Sequence, residues 1–250
     1  MSEPSQTLDG WFCLHDLRKI DWSSWKQVPE EERQAMVNEF IRLLETWQTI
    51  EEEETGSYAL YTVVGHKADI IMVNLRDSIN ELNAIEQEFN KLRLADYTMQ
   101  TYSYLSVVEQ GNYTPPKDGS DPLDNPNMRD RIYPILPKWE HICFYPMDKK
   151  REGEDNWYSL PLEKRVELMK AHGMTGRKYA GKIKQIISGS TGLDDWEWGV
   201  TLFAHEALQF KKLIYEMRFD EVSARYGEFG SFYVGNILNN EHIHPFFQTN

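Results

Sequence analysis

The sequence predicts an α+β protein made of two ferredoxin-like units in tandem. Three observations predict it. Apolar residues alternate at period two in some stretches and recur at helical spacing in others. The stretches follow the order strand, helix, strand, strand, helix, strand. That order occurs twice in 250 residues. Each unit is then an antiparallel sheet with helices on one face, and two such sheets pack into a dimeric α+β barrel-like core.

The first strand covers Leu8 to about Leu17. Pro29 opens a helix with an acidic first turn, Glu30 to Glu32. Met36, Phe40, Leu43, Leu44 and Trp47 keep helical spacing along it. Two strands follow, near 58–64 and 69–75, joined around Gly65. Ser78 and Glu81 form a capping box, and its helix carries Ile79, Leu82, Ile85, Phe89 and Leu92 on one side. A strand near 101–108 closes the first half. The second half starts with the strand His141–Met147, and a helix runs from Pro161 past Met169. Strands follow near 182–188 and 196–203. A helix with Phe210, Leu213, Ile214 and Met217 comes next, then a last strand near 229–237. Local echoes support the repeat: Phe12, Cys13 and Leu14 against Ile142, Cys143 and Phe144. These boundaries give an N-terminal domain at 1–110, a flexible connecting loop at 111–137 and a C-terminal domain at 138–250. The stretch from Glu109 to Pro137, rich in Gly, Pro, Asp and Asn, reads equally as a flap over a ligand or as a plain linker.

Composition narrows the function. Hydrophobic residues are 40% and aromatics 13%, enough for a buried core. A formal net charge of −13 argues against nucleic acid and anionic membranes as partners. No apolar run reaches membrane-spanning length. The residues MSEPSQTLDG lack the pattern of a signal peptide, and two cysteines make no disulfide framework. A cytoplasmic, reduced protein is the expectation. The run Glu51 to Glu54 reads as a solvated helix end.

The chemistry concentrates in one strand. In His141–Lys149, Ile142 and Phe144 point one way. His141, Cys143, Tyr145 and, past Pro146, Met147 and Lys149 point the other. A phenol, a thioether and an ammonium make an odd core but a reasonable wall for a large, flat, anionic ligand. His242 and His244 lie in a polar tail without further metal ligands, so exposure is the expectation. No Walker loop, GxGxxG, HExxH or CxxC occurs. His172 shares a helix face with Leu168 and Met169. Such a histidine is either a satisfied helix residue or a single axial ligand to haem iron in an apolar pocket, with Trp196 and Trp198 as candidate walls. Arg129 and Arg131 lie in the connecting segment. Arg218 sits at a helix end, where the dipole alone explains a cation. Ser223 beyond it reads as a capping residue.

These residues resemble the coproheme decarboxylase branch of the chlorite dismutase superfamily over essentially the whole chain. The resemblance is densest in Thr7–His15, Ile142–Arg151, Tyr179–Gln185, Trp198–Phe203, Glu216–Tyr226 and Phe229–Phe232. It implies a tandem ferredoxin-like fold, a homopentamer and one porphyrin site in the C-terminal half. It implies peroxide-dependent oxidative decarboxylation of two propionates of iron coproporphyrin III (coproheme) to vinyls. The product is haem b, reached through a monovinyl, three-propionate intermediate. By the same resemblance, His172 is the axial ligand and Tyr145 the redox tyrosine. Lys149 and Met147 lie by the reacting propionate, and Gln185 lies above the iron. Arg131, Arg218, Ser223 and Tyr113 bind propionates. Chlorite-degrading members carry an arginine where Gln185 stands. A transient contact with the iron-inserting chelatase is a further expectation. The competing readings are a chlorite dismutase or peroxidase on the same fold, a haem carrier or sensor without turnover, and a structural dimerisation module.

Overall fold

A computed structural model describes residues 3–112 and 121–249. In chain order its strands and helices are β1 (Gln6–Ile20), α1 (Trp22–Trp25), α2 (Glu30–Glu52), β2 (Gly56–Val63), β3 (Ile70–Arg76), α3 (Ile79–Asn90), β4 (Thr98–Asn112), α4 (Pro126–Ile132), β5 (His141–Lys149), β6 (Arg151–Glu152), β7 (Asp155–Asn156), α5 (Leu162–Arg177), β8 (Ile183–Gly189), β9 (Trp198–Ala204), α6 (Leu208–Met217), α7 (Glu221–Tyr226), β10 (Gly227–Phe229), β11 (Tyr233–Ile237) and α8 (Asn240–Phe247). Among the described residues no helix is long and apolar enough to cross a membrane.

The chain forms two compact units. One takes the residues up to Gly10, Ser106–Pro134 and Trp139–Tyr233. The other takes Trp11–Leu105, Ile135–Lys138 and the chain from Val234 onward.

In the second of these, strands run in the order β4–β1–β3–β2, with β1–β3 and β3–β2 antiparallel, and β11 adds antiparallel to β2. Helix α2 forms because its apolar residues recur every three or four positions. Met36, Val37, Phe40, Leu44 and Trp47 are its buried stripe. Ser78 caps α3 as expected: its hydroxyl accepts from Glu81 N and donates to the Glu81 carboxylate. Both helices cover the sheet face of Leu60, Ile70 and Met72, with Trp25, Phe89 and Phe247 in the same core. Each such aromatic contributes roughly 2–3 kcal/mol by burial. The opposite face carries Cys13, His15 and Leu17, also buried. Burial pushes the His15 imidazole down to about 3, opposed only in part by a hydrogen bond to the Tyr104 backbone, so the ring stays neutral. The glutamate run departs from expectation at one residue. Glu51 turns inward and accepts from Ser57 Oγ, Tyr58 N and Lys138 Nζ. The chain reverses just beyond it, which brings β2 back under the helix end.

In the other unit the order is β10–β5–β9–β8, the same permutation of a second strand–helix–strand–strand–helix–strand run. The duplicated ferredoxin-like fold is therefore present. Two features differ from the sequence reading. The last strand is broken into β10 and β11. Gly230 approaches Pro146 so closely that an added Cβ would lie 2.7 Å from its ring, and Gly230 N donates to the Pro146 carbonyl. The connecting segment also contains α4, started by Asn125 as N-cap with Pro126 next to it.

Candidate functional site

Strand β5 sets the site. Against β9, Cys143 lies opposite Leu202, Tyr145 opposite Val200 and Met147 opposite Trp198. Strand β8 extends these rows with Gln185, Ile187 and Gly189. On the other side, Met147 faces Phe229 and Lys149 faces Gly227. Opposite residues of an antiparallel ladder share a face, as do residues two apart along a strand. Tyr145, Met147, Lys149 and Gln185 therefore stand on one sheet face, with Val200, Ile187 and Trp198 between them. The alternation expected from the sequence passes through Pro146 unbroken.

Tyr145 is 5% exposed. Its ring stacks on Phe232 at 4.4 Å and is tilted to Phe229 at 5.9 Å. Burial pushes its phenol pKa upward. The Cys143 thiol adds to this and the Arg218 charge opposes it. Tyr145 thus holds its proton across the working pH range. Among the described residues nothing hydrogen-bonds its hydroxyl.

Lys149 is 9% exposed and rests its ammonium over Trp157, 5.1 Å from the ring centre. It makes no ion pair among the described residues. Burial lowers its pKa to about 8, although Asp220 and Glu197 pull the other way. Arg218 follows α6 and lies 3.8 Å over the Phe229 ring. It too has no ion pair among the described residues, whereas Arg18 holds Asp16 and Arg225 holds Asp155 and Glu221. With 40 acidic against 27 basic side chains in the chain, Lys149 and Arg218 are cations that stay out of ion pairs among the described residues, and both are side chains suited to a carboxylate.

Helix α5 supplies the imidazole. Its Leu168 packs with Trp157, Val222 and Tyr226, and Met169 joins at the edge. This fixes the face on which His172 stands. His172 Nδ1 lies 3.1 Å from Asp220 Oδ2. Burial works against an ionised Asp220, but the bonds from His172 and Ser223 outweigh it and hold the carboxyl below its usual range. The carboxylate keeps the proton on Nδ1 and leaves the Nε2 lone pair as a donor to a metal. An added Cβ at the neighbouring Gly173 would meet nothing within 4 Å, so this stretch of α5 is open.

Two sequence readings are corrected. Ser223 does not cap α7. Asp220 does, because the helix begins at Glu221. The Asp220 Oδ1 accepts from Ser223 N at 3.0 Å, and the Ser223 hydroxyl lies 3.3 Å from Oδ2. His244 is half-buried, with Nε2 at 3.0 Å from Asn38 Oδ1, not simply exposed. Among the described residues no three His, Cys, Asp or Glu side chains gather to hold a metal. A single axial nitrogen is a different kind of site and is compatible with this.

Gln185 lies at the rim, exposed. Arg131 is exposed on the last turn of α4 and makes no ion pair among the described residues. Tyr113 lies outside the described residues. Residues that the sequence reading misses are Asp220, Phe229 and Phe232 as ring partners of Tyr145, Trp157 and Glu197. An acidic residue three before a serine at a helix start was the available signal for Asp220. The aromatic partners come from a strand end and a turn, where no periodicity points to them.

The fold and site together define a class: duplicated ferredoxin-like proteins with a polar face on β5 of the second unit and, on the helix that follows it, a carboxylate-oriented histidine. The sequence profile described as chlorite dismutase matches residues 33–238, and the chain belongs to that family. Its structure is similar to that of a protein from Thermus thermophilus described as a novel haem-binding protein. Identity is 48%, 99% of this chain and 98% of that one are covered, and the TM-score is 0.95. It also resembles a mutant chlorite dismutase from Candidatus Nitrospira defluvii at 19% identity, with 96% and 97% coverage and a TM-score of 0.77. This second likeness is one of fold alone.

Proposed function

We propose that this chain binds coproheme and catalyses its peroxide-dependent oxidative decarboxylation to haem b, through a monovinyl, three-propionate intermediate. One observation carries the reading. Tyr145, Lys149 and Gln185 share a sheet face, Arg218 lies against Phe229 beside it, and Asp220 links the His172 pair electrostatically to Lys149. The Tyr145 hydroxyl, the Lys149 ammonium, the Arg218 guanidinium and His172 Nε2 make no hydrogen bond or ion pair within the described residues.

These residues fit an iron tetrapyrrole. His172 Nε2 would take the iron, and Asp220 would orient the ring and raise its basicity. The iron, with hydrogen peroxide, supplies the oxidising equivalents. Arg218 and Lys149 are placed to hold propionate carboxylates, Arg218 with the planar donor fork that suits them. Tyr145 gives up its hydroxyl hydrogen and then takes one from the propionate. Its raised pKa keeps that hydrogen in place beforehand, and Phe229 and Phe232 shield the ring from water. Met147 lines the same wall. Gln185 offers a neutral amide, which cannot balance the charge of chlorite. For each side arm, one propionate loses CO2 and two hydrogens while one peroxide becomes two waters.

The resemblance also carries a homopentamer, a cytoplasmic setting, a haem-binding C-terminal domain at 138–250, propionate contacts at Arg131, Ser223 and Tyr113, and a handover from the chelatase. These stand with the proposal. The test mixes purified protein, coproheme and hydrogen peroxide and weighs the porphyrin. Two successive losses of CO2 plus two hydrogens are expected. An unchanged mass, with coproheme bound, would favour a carrier, the reading suggested by the description of the Thermus thermophilus protein. Oxygen release on adding chlorite to the haem-loaded protein would favour a chlorite dismutase.

A further inference from the structure

Lys149 sits at the end of β5, where strand order gives way to a small hairpin and a turn. One acidic side chain joins these pieces. Glu197, immediately before β9, is 7% exposed. Its Oε2 accepts the backbone N–H of Lys149 at 3.0 Å. Its Oε1 lies 3.5 Å from Arg151 Nη1 on β6. The Tyr158 hydroxyl donates to the same carboxylate, and Tyr158 follows Trp157, the ring beneath the Lys149 ammonium. Glu197 N in turn donates to Asp148 Oδ1 at 2.7 Å. The carboxylate thus joins the lysine backbone, the hairpin and the turn that carries the aromatic platform. A buried acid spent on a backbone N–H and a phenol, with its one cation 65% exposed, is poorly explained as an ion pair for stability.

We infer that Glu197 is a positioning residue for Lys149: it clamps the end of β5 onto the Trp157 turn and supplies the negative field that favours an ammonium there. This rests on the reading of Lys149 as a propionate-binding and catalytic group. The charged and titratable groups around Lys149 are Glu197 before β9, Asp220 at the cap of α7, Tyr226 on α7, Asp148 on its own strand, Arg151 on β6, Tyr158 on the turn and Glu228 on β10. Asp220 is committed to His172 and Ser223. Glu197 is the acid whose bonds reach the Lys149 backbone.

The test uses the full chain without porphyrin or peroxide. Competitive acetylation of the Lys149 side chain is followed by peptide mass spectrometry across pH. The wild-type midpoint is expected near 8. In Glu197→Gln it should fall by at least about one pH unit, because at an effective dielectric of about 20 a single negative charge is worth about 1.4 kcal/mol even at about 12 Å. Glu197→Asp should restore most of that shift. A folded Glu197→Gln protein with an unmoved midpoint would overturn the inference. Should that variant not fold, Arg151→Ala carries the test. Relieving Glu197 of its exposed cation should raise the midpoint, and an unmoved or lower value counts against the role. Because no substrate is present, failure here is separate from failure of the decarboxylation assay.

Discussion

Coproheme affinity should fall by about tenfold between pH 7 and about pH 9, and Lys149 is the reason. Burial brings its ammonium down from 10.5 to about 8. About nine-tenths of the protein then carries a charged Lys149 at pH 7 and about one-tenth at pH 9. A propionate against Nζ raises the pKa of the bound form. The affinity gained from this contact is therefore complete below pH 8 and fades as pH rises from 8 toward the bound-state value. A tenfold loss corresponds to about 1.4 kcal/mol. Tyr145 does not titrate in this window, because burial moves its phenol upward. The assay is a Soret titration with coproheme at stepped pH. In Lys149→Met the curve should be flat over this range. The ligand-free protein supplies a second, opposite sign. A lysine whose folded pKa lies below its unfolded value costs stability while charged. That cost lessens as pH rises from 8 to 10.5. Lys149→Met should accordingly be more stable than wild type at pH 7, by at most about 3 kcal/mol, from a shift of about 2.5 units. A Lys149→Met protein that keeps the wild-type pH slope would refute the assignment.

Tyr145→Phe should bind coproheme within a few-fold of wild type yet release almost no vinyl product, measured by mass spectrometry of the porphyrin; normal turnover would exclude the radical role. Asp220→Asn should loosen His172, seen as a changed axial-ligand signature in resonance Raman of the haem-loaded protein and a loss of about 10–100-fold in affinity; an unchanged spectrum would place the ligand elsewhere. Arg218→Ala should weaken coproheme binding more than haem b binding, since haem b has two fewer carboxylates, and equal effects would count against carboxylate recognition. Gly10→Ala should destabilise by about 1–3 kcal/mol in a chemical denaturation curve, because the new methyl would meet Ile132 with its Cγ2 at 2.5 Å.

Much of this fold was legible because its elements announce themselves by period and cap. Helix α2 declares its buried stripe from Met36 to Trp47, and Ser78 caps α3 through Glu81 as the pattern requires. The repeat was legible for the same reason, since each half needs the same alternation to cover its sheet. What escaped lies where local chemistry is shared between distant segments. Glu51 looks like one of four solvated glutamates until β2 and Lys138 meet it. Asp220 looks like one acid among many until α5 brings His172 to it. The break between β10 and β11 depends on Gly230 meeting Pro146, a contact with no trace in the pattern of either strand. In the site, the alternation of β5 revealed that Tyr145, Met147 and Lys149 share a wall. Their rings and counter-charges come from Phe229, Phe232, Trp157 and Glu197, which no spacing connects to β5.

The two halves also differ in what their first strands do with the same template. Two residues beyond the cysteine, β5 carries Tyr145 and β1 carries His15. His15 is 0% exposed and sits with the Cys13 thiol 3.6 Å from its Nδ1 and Tyr104 edge-on beside it. Held at about 3, it stays uncharged at any physiological pH. The first half thus keeps its equivalent of the proposed binding face as buried interior, and a titration of pigment against polypeptide should saturate at a stoichiometry of one to one.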